Sequence, residues 1–145
     1  MGLIDISDKP CVHRTAEAAG KIILLKASID AIKNNTVKKG NPLPVAEIAG
    51  INAAKQTSVL IPHCHQLILN AVTLDFNVTD NGVEANCKVR AYGRTGVEME
   101  AINGVLIALS TIWDMVKYLE KDVDGQYPHT AIEQVRVIKK EKGLE

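Results

Sequence analysis

The run TGVEMEAINGVLIALSTIWDMVK, residues 95–117, constrains this chain more than any other segment, because no charged residue lies between Glu100 and Asp114. A helix of this length that is apolar nearly all round belongs inside a fold. Its flanking charges, Glu98, Glu100, Asp114 and Lys117, then need a reason to be there, since a buried charge is costly unless paired or hydrogen-bonded. Wound at about 100° per residue, the helix sets Glu100, Asn103, Ser110, Asp114 and Lys117 on one side. By spacing alone that stripe is a polar seam between subunits or a solvent-facing row with an i,i+3 ion pair. The alternative with chemistry in it is an acid/base pair at Asp114 and Lys117. Burial would raise the pKa of Asp114 and the nearby lysine would lower it, and spacing does not decide between them.

Two segments before this helix alternate with period two. Residues 69–78 set Val72, Leu74, Phe76 and Val78 against Thr73, Asp75 and Asn77; residues 83–91 set Val83, Ala85, Cys87, Val89 and Ala91 against Glu84, Asn86, Lys88 and Arg90. The Asp80-Asn81-Gly82 step between them reads as a hairpin turn through its Asn-Gly pair. Upstream, residues 16–25 are apolar enough for a strand, and 26–35 have helical spacing that ends in an Asn pair. Residues 38–44 form a Gly- and Pro-punctuated loop. Pro44 is suited to open a helix over 45–57, in which Ala46, Gly50 and Ala53 make a narrow stripe that admits a close neighbour. Residues 120–131 read as a loop and 132–138 as a final strand. At 145 residues this is expected to be one domain. The order strand, helices, strand, strand, helix, strand predicts an α+β, ferredoxin-like antiparallel sheet with helices packed on one face.

Composition removes several function classes. Lys plus Arg equals Asp plus Glu at 17 each, which argues against a nucleic-acid coat. Cys11, Cys64 and Cys87 form no CxxC pair, so neither a disulfide framework nor a zinc ribbon is indicated. The first residues lack a signal-peptide core. The apolar helix is interrupted by Asn103, Ser110 and Thr111, which argues against a membrane span. A soluble, cytoplasmic chain is expected. There is no P-loop, GxGxxG or GxSxG.

Two short motifs remain. In an extended segment, His63 and His65 of PHCHQ would share a side opposite Cys64. A zinc site would need further ligands. Hydrogen-bonding imidazoles near an anion suit the pattern better, beside the plainer reading of two structural histidines. Lys38-Lys39-Gly40 suits phosphate or a mobile proton-transfer loop, beside the plainer reading of a solvated turn. Arg14, Lys55, Arg90 and Arg94 read individually as surface cations.

Taken together, IDISDKP at 4–10, the stretch 38–67 and the run 95–117 resemble the molybdenum cofactor biosynthesis protein C family, the cyclic pyranopterin monophosphate synthases. The runs LIPxCHxL, TGVEME and DMxK carry the resemblance over nearly the whole chain. It implies a lyase acting on a cyclised dihydroguanosine triphosphate made from GTP, with cyclic pyranopterin monophosphate and pyrophosphate as products. It implies no resident cofactor or metal, and a homohexamer, a trimer of dimers, with active sites where subunits meet. By motif, Asp114, Lys117 and Lys39 are the implied catalytic residues. His63, Cys64, His65, Glu98, Met99, Glu100, Arg14 and Lys140 are the implied substrate-binding residues. Two features depart from the family pattern. His63 stands where leucine is common and Gln66 where proline is, so position 63 is expected to act through its backbone. The chain also ends KKEKGLE rather than in a Gly- and Lys-rich tail. An acid with two lysines suits successive proton transfers, and loss of pyrophosphate calls for cations around developing negative charge.

Overall fold

Alternation in the hairpin is realised residue for residue. Val83, Ala85, Cys87, Val89 and Ala91 are each at most 2% exposed, while Glu84, Lys88 and Arg90 face outward. In the computed structural model, which describes residues 1–143, the elements are β1 (Val12–Ile23), α1 (Lys26–Lys33), α2 (Pro42–Lys55), α3 (Thr57–Leu60), β2 (Leu69–Val78), β3 (Gly82–Gly93), α4 (Glu98–Glu120) and β4 (Ala131–Lys142). The strands form one antiparallel sheet in the order β2-β3-β1-β4. This is the α+β ferredoxin-like arrangement expected from the element order, with α2 and α4 on the face that carries the buried alternate residues.

The long helix is buried along the side facing the sheet, where Ala101, Val105, Ala108, Leu109, Ile112 and Val116 have no exposure. Each large aliphatic side chain sealed there contributes about 1.5–3 kcal/mol. By length and apolarity α4 does qualify as a membrane span, contrary to the expectation from its interruptions. Half of its most apolar window is buried within the fold, as for a core helix. Its other flank leaves Leu106 and Ile107 each 37% exposed.

The small-residue stripe on α2 meets α4 where both backbones come close. A Cβ on Gly50 would lie 2.6 Å from Leu74 Cδ2 and 2.9 Å from the carbonyl oxygen of Gly104. A Cβ on Gly104 would lie 2.7 Å from Cys87 Sγ. Asn103 continues this contact by donating from Nδ2 to the carbonyl of Ala53 at 2.9 Å.

Several boundaries differ from expectation. The first strand starts at Val12 rather than residue 16. The last strand runs to Lys142 because it pairs along most of β1, through two register shifts. α2 begins at Pro42, three residues early, since Asn41 Oδ1 accepts from the Leu43 N–H at 3.1 Å and caps the helix. A short helix, α3, follows α2 where one continuous helix to residue 57 was expected. The hairpin turn is at the expected place for a different reason. Neither Asn81 nor Gly82 adopts positive φ. Gly82 is needed because a Cβ there would sit 1.8 Å from the carbonyl oxygen of Ile22.

Candidate functional site

Lys39 reaches α4 from the connection between α1 and α2, and local sequence explains how. α1 ends in a Schellman motif: the Thr36 N–H donates to Ala31 O at 2.9 Å and the Asn35 N–H to Ile32 O at 3.3 Å, with Asn35 in the left-handed region at φ 56. Val37 is then buried at 6% exposure, and the Gly40 N–H donates back to Val37 O at 3.0 Å. These contacts make a β-turn with Lys38 and Lys39 at its tip. Gly40 leaves the turn at φ 99, and the capped N-terminus of α2 follows.

At that tip the Lys39 ammonium lies 3.1 Å from Asp114 Oδ2 and donates to the Asp114 carbonyl at 3.2 Å. The Lys117 ammonium lies 2.9 Å from Asp114 Oδ1. One carboxylate therefore sits between two ammoniums, one from its own helix and one 75 residues away in sequence. Asp114 is exposed, so desolvation has little weight. Hydrogen bonds from Lys117 and Lys39, reinforced by their charges, hold its pKa below the ordinary carboxylate value. The bond to Asp114 and its charge push Lys117 above the ordinary lysine value. Beside this triad an open depression of about 230 Å³ is lined by Ser110, Trp113, Asp114, Lys117 and Ile132. The Trp113 indole is held edge-on by Tyr127, with ring centroids 5.4 Å apart. A hollow of about 320 Å³ on the open sheet face contains none of the expected residues.

The other expected residues gather at the opposite end of α4. Arg14, read as a surface cation, is instead 6% exposed. It lies on the helix-covered face of β1 and donates from Nε to Gly93 O at 3.3 Å and from Nη2 to Arg94 O at 3.2 Å, which fixes the turn leading into α4. Lys140 pairs with Ala16 across β1 and β4, and its ammonium is 2.6 Å from Glu98 Oε1. That contact is an ion pair rather than an aligned hydrogen bond. Burial alone would raise Glu98, but Lys140, a backbone bond and the Arg14 charge together bring its pKa below the ordinary value. Glu100, 5% exposed, is raised, first by burial and further by the Glu98 charge. Cys64 is also raised, by burial and by the Glu100 charge. Met99 is 39% exposed.

The histidine segment is not extended. The Cys64 N–H donates to Ile61 O at 3.0 Å, so Pro62 and His63 form the tip of a turn. His63 is exposed. His65 Nε2 is 2.6 Å from the carbonyl of Ile4, which tethers the N-terminal segment. Among the described residues no three His, Cys, Asp or Glu side chains gather to hold a metal ion.

The polar stripe on α4 thus divides. Glu100 and Asn103 are buried, Asn103 against α2, whereas Ser110 and Asp114 are exposed. Sequence reasoning missed Glu120, 1% exposed. It accepts from the Leu25 N–H at 3.0 Å, from Thr130 Oγ1 at 2.6 Å and from Ser28 Oγ. It also missed Tyr118, whose hydroxyl accepts from the Lys38 N–H at 2.9 Å. The heptapeptide WDMVKYL hints at Tyr118, which follows Asp114 by one helical turn.

A model described as the MoaC family matches residues 3–143. A protein of Methanothermobacter thermautotrophicus described as a probable cyclic pyranopterin monophosphate synthase accessory protein is 52% identical over 97% of this chain and 88% of its own length. Probable cyclic pyranopterin monophosphate synthases of Thermococcus kodakarensis and Archaeoglobus fulgidus are 51% and 50% identical, over 99% and 97% of this chain and 92% and 90% of theirs. With matches this long at half identity, the chain belongs to the MoaC family.

Proposed function

We propose that this protein is a cyclic pyranopterin monophosphate synthase of molybdenum cofactor assembly, a lyase that acts on a cyclised dihydroguanosine triphosphate and releases pyrophosphate. The observation that carries the reading is Asp114 held between Lys39 and Lys117 at 3.1 and 2.9 Å. Rebuilding a purine-derived ring needs protons delivered to and taken from several atoms, and positioned lysines with a carboxylate can do both. In the free protein Asp114 keeps Lys117 charged. A substrate group that displaces the carboxylate would remove this counterion, and Lys117 would then release its proton more readily. At the other end of α4, Arg14 and Lys140 supply positive charge for phosphate, and Glu98, Met99, Glu100, His63, Cys64 and His65 surround the purine-derived part.

The two groups lie on one rigid helix, with Glu98 and Asp114 about 24 Å apart along its axis. One small molecule cannot touch both. We infer that each active site combines the Asp114 end of one subunit with the Glu98 end of another, in a cytoplasmic homohexamer built as a trimer of dimers. The exposed Leu106 and Ile107 flank of α4 is consistent with such packing.

The test is product formation by the purified protein from the cyclised substrate. Asp114→Asn and Lys117→Ala are expected to abolish turnover while circular dichroism stays unchanged. Near-normal turnover by both variants refutes the reading. Co-refolding Asp114→Asn with Glu98→Gln subunits should restore part of the activity that neither homomer has; no restoration would contradict the shared site.

A further inference from the structure

Two adjacent lysines stand at the tip of the 37–40 turn, yet only Lys39 reaches Asp114. Both are exposed, and both side chains are long and flexible. The turn places them at its second and third residues, where side chains project in different directions, and a further contact holds that arrangement. That contact lies one turn along α4 from Asp114, at Tyr118. Its hydroxyl accepts the Lys38 N–H at 2.9 Å; this is the backbone donor that a β-turn leaves free at its second residue. Its ring lies under the Lys38 ammonium, 5.1 Å from the centroid, within the range of a cation–π contact. Tyr118 therefore holds Lys38 twice, by backbone and by side chain, and among the described residues the ion pairs of Asp114 are with Lys39 and Lys117 rather than Lys38. The next residue is then presented to the carboxylate.

We propose that Tyr118 is a positioning residue that makes Lys39, rather than Lys38, the lysine at Asp114. This rests on the role given to Lys39 above. Tyr118 touches no reacting atom; it acts by ordering a turn whose remaining anchors are the buried Val37 and the two helix caps. Without it the turn tip samples more conformations, and the entropy of ordering a long lysine side chain must be met in each catalytic cycle.

The test uses the full chain with Tyr118→Phe, which keeps the ring and loses the acceptor, and Tyr118→Leu, which loses both. Loss of one hydrogen bond predicts a fall in kcat of about fivefold for the Phe variant and a larger fall for the Leu variant. KM should stay within about twofold, because the loss is confined to the chemical step. Amide exchange at Lys38 should accelerate in both variants, with thermal stability of the Phe variant near that of the parent. Unchanged kcat in the Phe variant, unchanged exchange at Lys38, or a fall in kcat that only tracks loss of folded protein overturns the proposal. Lys39→Ala is measured alongside. Full turnover by that variant would refute the role of Lys39 itself, whereas an impaired Lys39→Ala beside unimpaired Tyr118 variants refutes only the role of Tyr118.

Discussion

Removing the Glu120 carboxylate should unfasten one end of the molecule. Glu120 lies in the last turn of α4 at 1% exposure and accepts from three donors on two segments: the Leu25 N–H and Ser28 Oγ at the start of α1, and Thr130 Oγ1 just before β4. Glu120→Ala leaves all three donors without an acceptor and opens a cavity. Each buried donor left unsatisfied costs about 1–3 kcal/mol, and Leu25 is partly hydrated, so the sum is about 3–5 kcal/mol. A domain of this size has about 5–15 kcal/mol in total. Glu120→Gln keeps the volume and one carbonyl acceptor. Its amide can donate to Ser28 or Thr130, since hydroxyls both donate and accept, which limits the cost to about 1–2 kcal/mol. The assay is urea unfolding at fixed protein concentration, because assembly stabilises the folded state by mass action. Thermal melting should show Glu120→Ala lower by roughly 10–15 °C. An alanine variant within about 1 kcal/mol of the parent, or a glutamine variant as damaged as the alanine one, would refute the account of these bonds.

Two further outcomes follow from the charges and thiols. Asp114, lowered by Lys117 and Lys39, should titrate by carboxyl NMR below 3.8, its ordinary value, and move up towards it in Lys39→Ala. The linked stabilisation is present above the unfolded pKa and fades as pH falls through the folded one; because the group is exposed, this shows in the titration far more than in the melting temperature. Cys87 is buried against α4, and its thiol is pushed up to about 12. Alkylation at mildly alkaline pH should therefore spare Cys87 in the native protein and label it only after unfolding, as read by mass spectrometry of peptides.

Much of this architecture can be read along the chain, for reasons that mark where reading stops. The hairpin and α4 are legible because their periodicities extend over many residues and each has one dry face. The Ala46, Gly50, Ala53 stripe is legible because only small side chains tolerate a backbone at the distance found near Gly104. The turn at Asn81-Gly82 is legible by composition, but its cause is not: the clash that excludes a side chain at Gly82 involves Ile22, sixty residues away. The α4 stripe reads as one surface because angular spacing is blind to where a neighbour ends. α2 covers Asn103, whereas Asp114 is exposed, so one stripe meets two environments. Glu120 has the look of a solvated helix-end acid until Leu25, Ser28 and Thr130 converge on it. Arg14 likewise has the look of a surface cation until the turn at Gly93 and Arg94 folds over it. Lys39 drew attention through its doubled lysine and glycine, but its meeting with Asp114 depends on the Schellman motif, the buried Val37 and Tyr118.

The helix α4 also acts as a ruler. Glu98, Asp114, Lys117, Tyr118 and Glu120 are all graduated along one hydrogen-bonded rod, and their mutual spacing cannot be adjusted piecemeal. Inserting a single residue at its middle would advance the far half by about 1.5 Å and turn it by about 100°. The triad would swing away from the Lys39 turn, and Glu120 would leave its three donors. The rod can exchange side chains but cannot change length without displacing one of these groups, so an inserted residue is expected to be tolerated only in the connections outside residues 98–120.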